Sequence, residues 1–442
     1  MWHYAFFTAG IQSKMTETCV MREPENRKEA DRKRSERFML NAEKIKEYVA
    51  AHKEEALGCL AEALQSPSPT GSEKPMGDTM LRWLEKTPFD VSVHTYMKDR
   101  PNIIAAWKGK EEGKDFLFNG HLDVFPPTES DDPDYDPWSG KIVDGRIYGR
   151  GACDMKGGDC AALIAMKFLR EMGFEPKGNI FLTLVSDEEN GGAYGIQPML
   201  EEGLIRADIG ISMEPSCMEV VMGNVGIYPC HVIIYGDGGH AGWAIDPEGP
   251  DNRFGGEDAI RKGAKALKAL YKLAEDIDGR PETFMGKSRL SVTLFHAGTT
   301  LNNYPRRCML GIDRRYMPGE TAEQVRKEIE DALESVRTED PSFEYELIAP
   351  SEPATPLCVV PDDCEIMTAI DSAFTELLGR KPERMYCPGG ADSAFIHEKI
   401  GVFMPFLSAG STDMATTTES IDVEDYLNII MIYMLVLVKA MS

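Results

Sequence analysis

Residues 183–192 read TLVSDEENGG. The apolar run Ile180–Val185 drives straight into three acids, Asp187, Glu188 and Glu189, and then into Gly191 and Gly192. A short apolar run closed by turn residues predicts a buried strand. Acids at its mouth have two readings. They form a solvated loop, as charge runs usually do, or they rim a site, because ligands in α/β sheets gather where strands end. The other acids and the histidines decide between the two.

Working outward, Ile45, Val49, Ala56, Leu57, Leu60 and Leu64 recur at helical spacing and predict a helix over 41–65. SPSPTGSE, with its prolines and Gly71, ends it. Strand-like runs follow at 102–107 and 116–118, then a helix at 159–172 and the strand at 180–185. Strands alternating with helices predict an α/β domain with a mostly parallel sheet. The character shifts near Gly226. Strands are expected at 228–235, 290–295, 309–312 and 343–347, and helices at 256–277 and 322–336. This is the composition of a compact α+β insert. After Pro350 the first pattern returns, with a helix at 365–378 and short strands near Met385 and over 402–407. The expected organisation is an extension over 1–40, a catalytic domain over 41–226 and 350–442, and an inserted domain over 227–349.

A chain of 442 residues holds two or three domains and at least one large core. The net charge of −25 argues against nucleic-acid binding and against docking on anionic lipid. Ten cysteines without a CxxC pair read as reduced thiols and a cytoplasmic protein. The first residues, MWHYAFFTAGIQSK, make a poor signal peptide, and the charged stretch through Arg37 reads as a flexible extension. The apolar run Leu427–Val438 is too short to span a bilayer and predicts a packed final helix.

In FLFNGHLDV, a strand ends at His121 with Asp123 two residues on, on the same face. Asp123 can orient a metal-ligating imidazole, or His121 is a lone histidine satisfied by nearby backbone. In GRIYGRGACDMKGG, Asp154 lies among glycines just before a helix, as a ligand or as a helix N-cap. Glu214 ends another apolar run in IGISMEPS. One histidine and several strand-end acids are the ligand set of a zinc-type hydrolase. In such a site adjacent glutamates can divide the labour. One ligates metal, and the other takes a proton from water whose pKa the metal has lowered to roughly 7.

From about residue 45 onward the chain resembles the M20 metallopeptidases. The resemblance rests on GHLDV, GRIYGRGACDMKGG, SDEENGG and MEPS, on GDGGHAG and LNNYPRRCMLGIDRRYMPGE in the insert, and on GGADSAF near the end. It implies a zinc-hydrolase catalytic domain interrupted by a dimerisation, or lid, domain. It also implies roles: His121 and Glu214 on a first metal, Asp154 bridging two, Glu189 on the second, Asp123 orienting His121, and Glu188 as general base. His240 would reach the reacting centre of a partner subunit as an oxyanion stabiliser, or it is an ordinary glycine-loop histidine. Asn302 and Arg315 would contact substrate, although Arg315 can equally be a surface ion pair. The reaction implied is hydrolysis of an N-acyl amino acid or small peptide by a homodimer holding one or two zinc, cobalt or manganese ions.

The chain departs from the family where a last histidine ligand is expected. SAGSTDMATTTES places Thr416 there, and no histidine follows His397. Three readings stay open: a one-metal enzyme, a gap filled by a neighbour such as Asp413, or a weakened relative that binds without turnover.

Overall fold

The computed structural model describes residues 40–127, 136–241, 258–350, 354–416 and 418–442. The extension expected over 1–40 falls, up to residue 39, outside them.

Strand Phe116–His121 is buried at every position and lies between Asn179–Val185 and Ile209–Ser212, parallel to both. Continuous apolar runs of this kind suit strands covered on both faces. Beyond Asn179–Val185 the sheet is extended by Arg100–Lys108 and then Asp90–Met97, both antiparallel to their neighbours. The sheet is therefore parallel only across the half that carries His121. For the outer pair the reason is local: Lys98 and Asp99 alone join those two strands, Asp99 at φ 62°, and so tight a link closes only an antiparallel hairpin.

Helix Lys156–Glu171 is buried from Lys156 to Leu169 and packs against Lys53–Leu64 and the last helix, Val423–Ala440. Helices apolar on nearly every face belong in an interior. Among the described residues no helix is long and apolar enough to cross a membrane. The single helix expected over 41–65 is two, Ala42–Ala51 and Lys53–Leu64. They break at His52, which leaves helical geometry and sets its Nδ1 2.8 Å from the Tyr48 carbonyl oxygen. The strand expected over 402–407 is reduced to bridges from Phe406 to Ser212 and Val221. Pro405 has no N–H with which to continue a ladder.

The insert is a four-stranded antiparallel sheet in the order Arg289–Ala297, Arg307–Tyr316, Gly226–Tyr235, Glu344–Ile348. Helices Ala259–Asp278 and Ala322–Glu339 cover it, around a core of its own that includes Val232, Leu270, Leu310 and Ile329. We propose 227 and 349 as the limits of this insert. After it the chain returns to the first domain. Arg384–Cys387 runs parallel to Val220–Asn224, and Ser420–Asp422 pairs with Arg146–Tyr148.

Candidate metal centre

His121 stands at the end of its strand, 1 % exposed. Its Nδ1 is 2.9 Å from the Asp123 carbonyl oxygen. A carbonyl only accepts, so Nδ1 carries a proton and Nε2 is the nitrogen left for an ion. Nε2 is 3.1 Å from Asp154 Oδ1 and 3.8 Å from both Glu188 Oε2 and Glu214 Oε1. The sequence reading had the Asp123 carboxylate orienting this ring; the main chain of Asp123 does so, and its Oδ1 lies 3.7 Å from Nδ1. The carboxylate has other partners. It accepts the backbone N–H of Glu188 at 3.1 Å and of Glu189 at 3.2 Å, and the Thr70 hydroxyl at 3.0 Å. One residue thus ties the histidine to the two glutamates of the opening stretch.

The turn carrying those glutamates is tightly built. Asp187 and Gly191 adopt left-handed φ of 74° and 85° around a short 3-10 turn over Glu188–Asn190. Asp tolerates that region better than most side chains. Asp187 Oδ2 accepts the Tyr194 N–H at 2.9 Å, and Oδ1 accepts Arg100 Nη2 at 2.6 Å. Arg100 also holds the buried Glu73 through Nε and Nη2.

Asp154 is fixed differently. Helix Lys156–Glu171 is capped at Met155 without a side-chain bond, so Asp154 is not its N-cap. The Asp154 and Cys153 N–H groups donate to Glu419 Oε1 at 3.2 and 2.9 Å, and Arg150 Nη1 donates to Glu419 Oε2 at 3.2 Å. Glu419, Arg100 and Glu73 escaped the sequence reading. The contacts that matter here join residues at least 27 apart, although Glu73 also accepts the nearby Gly71 N–H at 2.8 Å. Asp392, at the start of helix Asp392–Ile400, is also buried, and burial pushes its pKa up to about 7.

The acids repel one another. Burial raises the pKa of Glu188 and Glu214 well above the usual carboxylate range, with neighbouring acids adding to it. Glu189 is pushed up to about 10, first by burial and then by Asp154. For His121, burial works against protonation. The hydrogen bond to Asp154 and the charges of Glu214 and Glu188 outweigh it and hold the imidazole well above its ordinary value. A cation at this point would relieve all of these at once. Two groups of ligand atoms lie within 4.8 Å of one another, His121–Glu188–Glu214 and His121–Asp154–Glu189, and both use the one imidazole. Glu189 Oε1 is buried with no hydrogen-bond partner. An orphaned acceptor beside convergent carboxylates and an imidazole fits a divalent ion.

Neither candidate for the missing ligand joins these groups. The Thr416 hydroxyl is exposed and donates to the Asp413 carbonyl at 2.6 Å. The Asp413 carboxylate is 3.4 Å from Arg146 Nη2 and 3.2 Å from Ser420 Oγ.

Asp154, Glu188, Glu189 and Glu214 open into a cleft of about 450 Å³ whose wall also takes in Asp313 and Arg315 of the insert. Of the three residues assigned from the insert, only Arg315 is in this wall. His240 and Asn302 are exposed, their Nε2 and Nδ2 3.5 Å apart, on a small ladder pairing Gly239–His240 with Asn303–Tyr304.

The model of peptidase family M20/M25/M40 matches residues 117–439. The succinyl-diaminopimelate desuccinylase of Rhodospirillum centenum is 29 % identical over 336 residues, covering 74 % of this chain and 81 % of that enzyme. Among solved structures, a tripeptidase from Staphylococcus aureus is similar with a TM-score of 0.69 at 22 % identity, over 88 % of this chain and 98 % of that one. A dinuclear metal-binding peptidase of the M20 family from Bacillus subtilis gives a TM-score of 0.66 at 18 % identity, over 89 % and 98 %.

Proposed function

This chain belongs to peptidase family M20/M25/M40 and is a metallo-amidohydrolase, and from that premise we propose that it hydrolyses the amide of an N-acyl amino acid or small peptide. The observation that carries the proposal is the convergence of four carboxylates on His121 Nε2 at the mouth of a substrate-sized cleft.

His121, Asp154 and Glu214 would hold a zinc, cobalt or manganese ion, with Glu189 beside Asp154 at the position of a second. When bound, such an ion supplies a Lewis acid and lowers the pKa of water. Glu188 stays free to take the proton from the attacking water and deliver it to the leaving nitrogen. Once it holds that proton, the carboxyl is the donor in the second half of the transfer. Asp123 acts at one remove. By accepting two successive N–H groups it sets where the Glu188 and Glu189 side chains emerge. Arg315, which lines the same cleft as the metal acids, would bind a substrate carboxylate.

Because both ligand groups draw on His121, we expect one tightly held ion per chain. Equilibrium dialysis followed by metal analysis should give about one equivalent of zinc, cobalt or manganese. Chelation should abolish hydrolysis, and the same ion should restore it. Two tightly bound equivalents would show that another residue completes a second site.

We also propose a homodimer. His240 and Asn302 lie outside the described cleft lining, as they would if each served a partner's site. The insert offers a surface for this. Strand Arg289–Ala297 is at the sheet edge with Leu294 and Phe295 exposed, and Ile260 and Tyr271 are exposed on one face of the adjoining helix. Light scattering should give twice the chain mass of 49.1 kDa. A charge placed at Phe295 should shift it toward the single chain, and a wild-type mass of one chain would remove the proposed role of His240.

A further inference from the structure

The loop SPSPTGSE, over 66–73, lines no part of the described cleft, yet it is zipped onto the chain that follows His121. The Val124 N–H donates to the Ser68 carbonyl at 3.0 Å, and the Thr70 N–H donates to the Val124 carbonyl at 3.2 Å. Pro69 and Val124 form a parallel bridge between these two bonds. Gly71, at φ 95°, turns the chain away at once, and its N–H donates to Glu73 Oε1 at 2.8 Å. From this anchored backbone two side chains reach the acid turn. Glu73 reaches its start through Arg100 and Asp187. Thr70 reaches Glu188 and Glu189 through Asp123, its hydroxyl donating to Oδ2 at 3.0 Å.

The Asp123 carboxylate is fully buried and accepts three hydrogen bonds. Oδ1 takes the Glu188 N–H, and Oδ2 takes the Glu189 N–H together with the Thr70 hydroxyl. Two of these donors sit on the turn itself. They tie the carboxylate to the turn without fixing either to the rest of the protein. The terminal torsion of an aspartate is broad, so a carboxylate held in that way is free to swing and to carry the turn with it. Among the described residues, Thr70 is the one hydrogen-bond donor to this carboxylate from outside the turn. A β-branched side chain is stiff at χ1, which suits a fixed point.

We propose that Thr70 is a positioning residue for the reaction: by pinning Asp123 Oδ2 it sets where Glu188 stands relative to His121. The inference rests on the hydrolase reading above. Because the hydroxyl bonds no ligand atom and lies outside the described cleft lining, its loss is felt in the placing of the base and not in the binding of substrate or ion.

The test compares Thr70→Val, which keeps the branched shape and removes the donor, with Thr70→Ser, which keeps the donor. Each metal-loaded variant and the wild type are measured for kcat, KM, metal content and backbone amide hydrogen exchange. Thr70→Val is expected to lower kcat by about tenfold to a hundredfold, the scale of a small misplacement of a reacting group, with KM and metal content unchanged. Exchange at the Glu189 N–H should quicken about tenfold as the turn loosens. Thr70→Ser should recover most of both effects. In a Glu188→Gln background Thr70→Val should cost little more, since residues acting through one group are not additive. Wild-type kcat or unchanged Glu189 exchange in Thr70→Val overturns the inference. So do a Thr70→Ser as poor as Thr70→Val, loss of the ion, and full additivity with Glu188→Gln. A wild type that hydrolyses no N-acyl amino acid or dipeptide removes the hydrolase reading and this role with it, a result distinct from an active wild type indifferent to Thr70.

Discussion

Glu188→Gln should lower kcat by a factor on the order of 10² to 10⁴, the usual contribution of a positioned general acid–base group, while the folded protein keeps its metal. The geometry explains why the effect should be so selective. Glu188 Oε2 lies 3.8 Å from His121 Nε2, close enough to face a water held at the same centre. The amide retains the size of the side chain and removes the basic oxygen. The Glu188 N–H still donates to Asp123, so the turn keeps its anchor. Metal content and kcat are to be measured on the same preparation. Lost activity with retained metal assigns the base. Lost metal would make Glu188 a ligand and move the base elsewhere, Glu189 being the neighbour to test next. Unchanged kcat would remove Glu188 from the reaction.

The largest stability effect is expected at a residue that touches no reacting atom. Arg100 is 5 % exposed and joins Glu73, fully buried, to Asp187, 2 % exposed. Arg100→Met fills much of the same space and leaves two buried carboxylates without a cation. Breaking a buried pair from one side costs about 3–5 kcal/mol, because the uncompensated charge remains. The denaturant midpoint of the variant should therefore fall well below that of the wild type. A small difference would mean that the triad contributes little. Because Asp187 leads directly into Glu188, kcat of the folded variant should fall as well, while its metal ligands are intact.

Much of the candidate centre was legible along the chain because its parts fall at strand ends. An apolar run followed by an acid or histidine can be read without knowing its neighbours, and this located His121, Glu188, Glu189 and Glu214. The helix at 365–378 and the helices and strands of the insert were readable for a similar reason, since periodicity is a local property. What escaped was whatever depends on distant partners. Glu419 looks like one more residue in ATTTES, yet it holds the backbone of Asp154, more than 260 residues away. Asp123 was expected to orient His121 through its carboxylate, but which of its oxygens meets the ring and which meets the glutamates depended on how the turn after Val185 folds against it. The strand expected through Pro405 failed because the periodic pattern ignored a missing N–H.

By itself the sequence determined the residue types at the ends of the parallel strands, hence a cluster of acids around one imidazole, and the absence of a second imidazole after His397. Those are facts of covalent order. Only the tertiary structure decided that the cluster is one centre with a shared histidine, that Thr416 and Asp413 are bonded elsewhere, and that Arg315 meets the cleft with its charge already shared with Asp313. The physical reason is that charge balance and ligand geometry are sums over groups brought together from far apart, and a sum of that kind has no local signature.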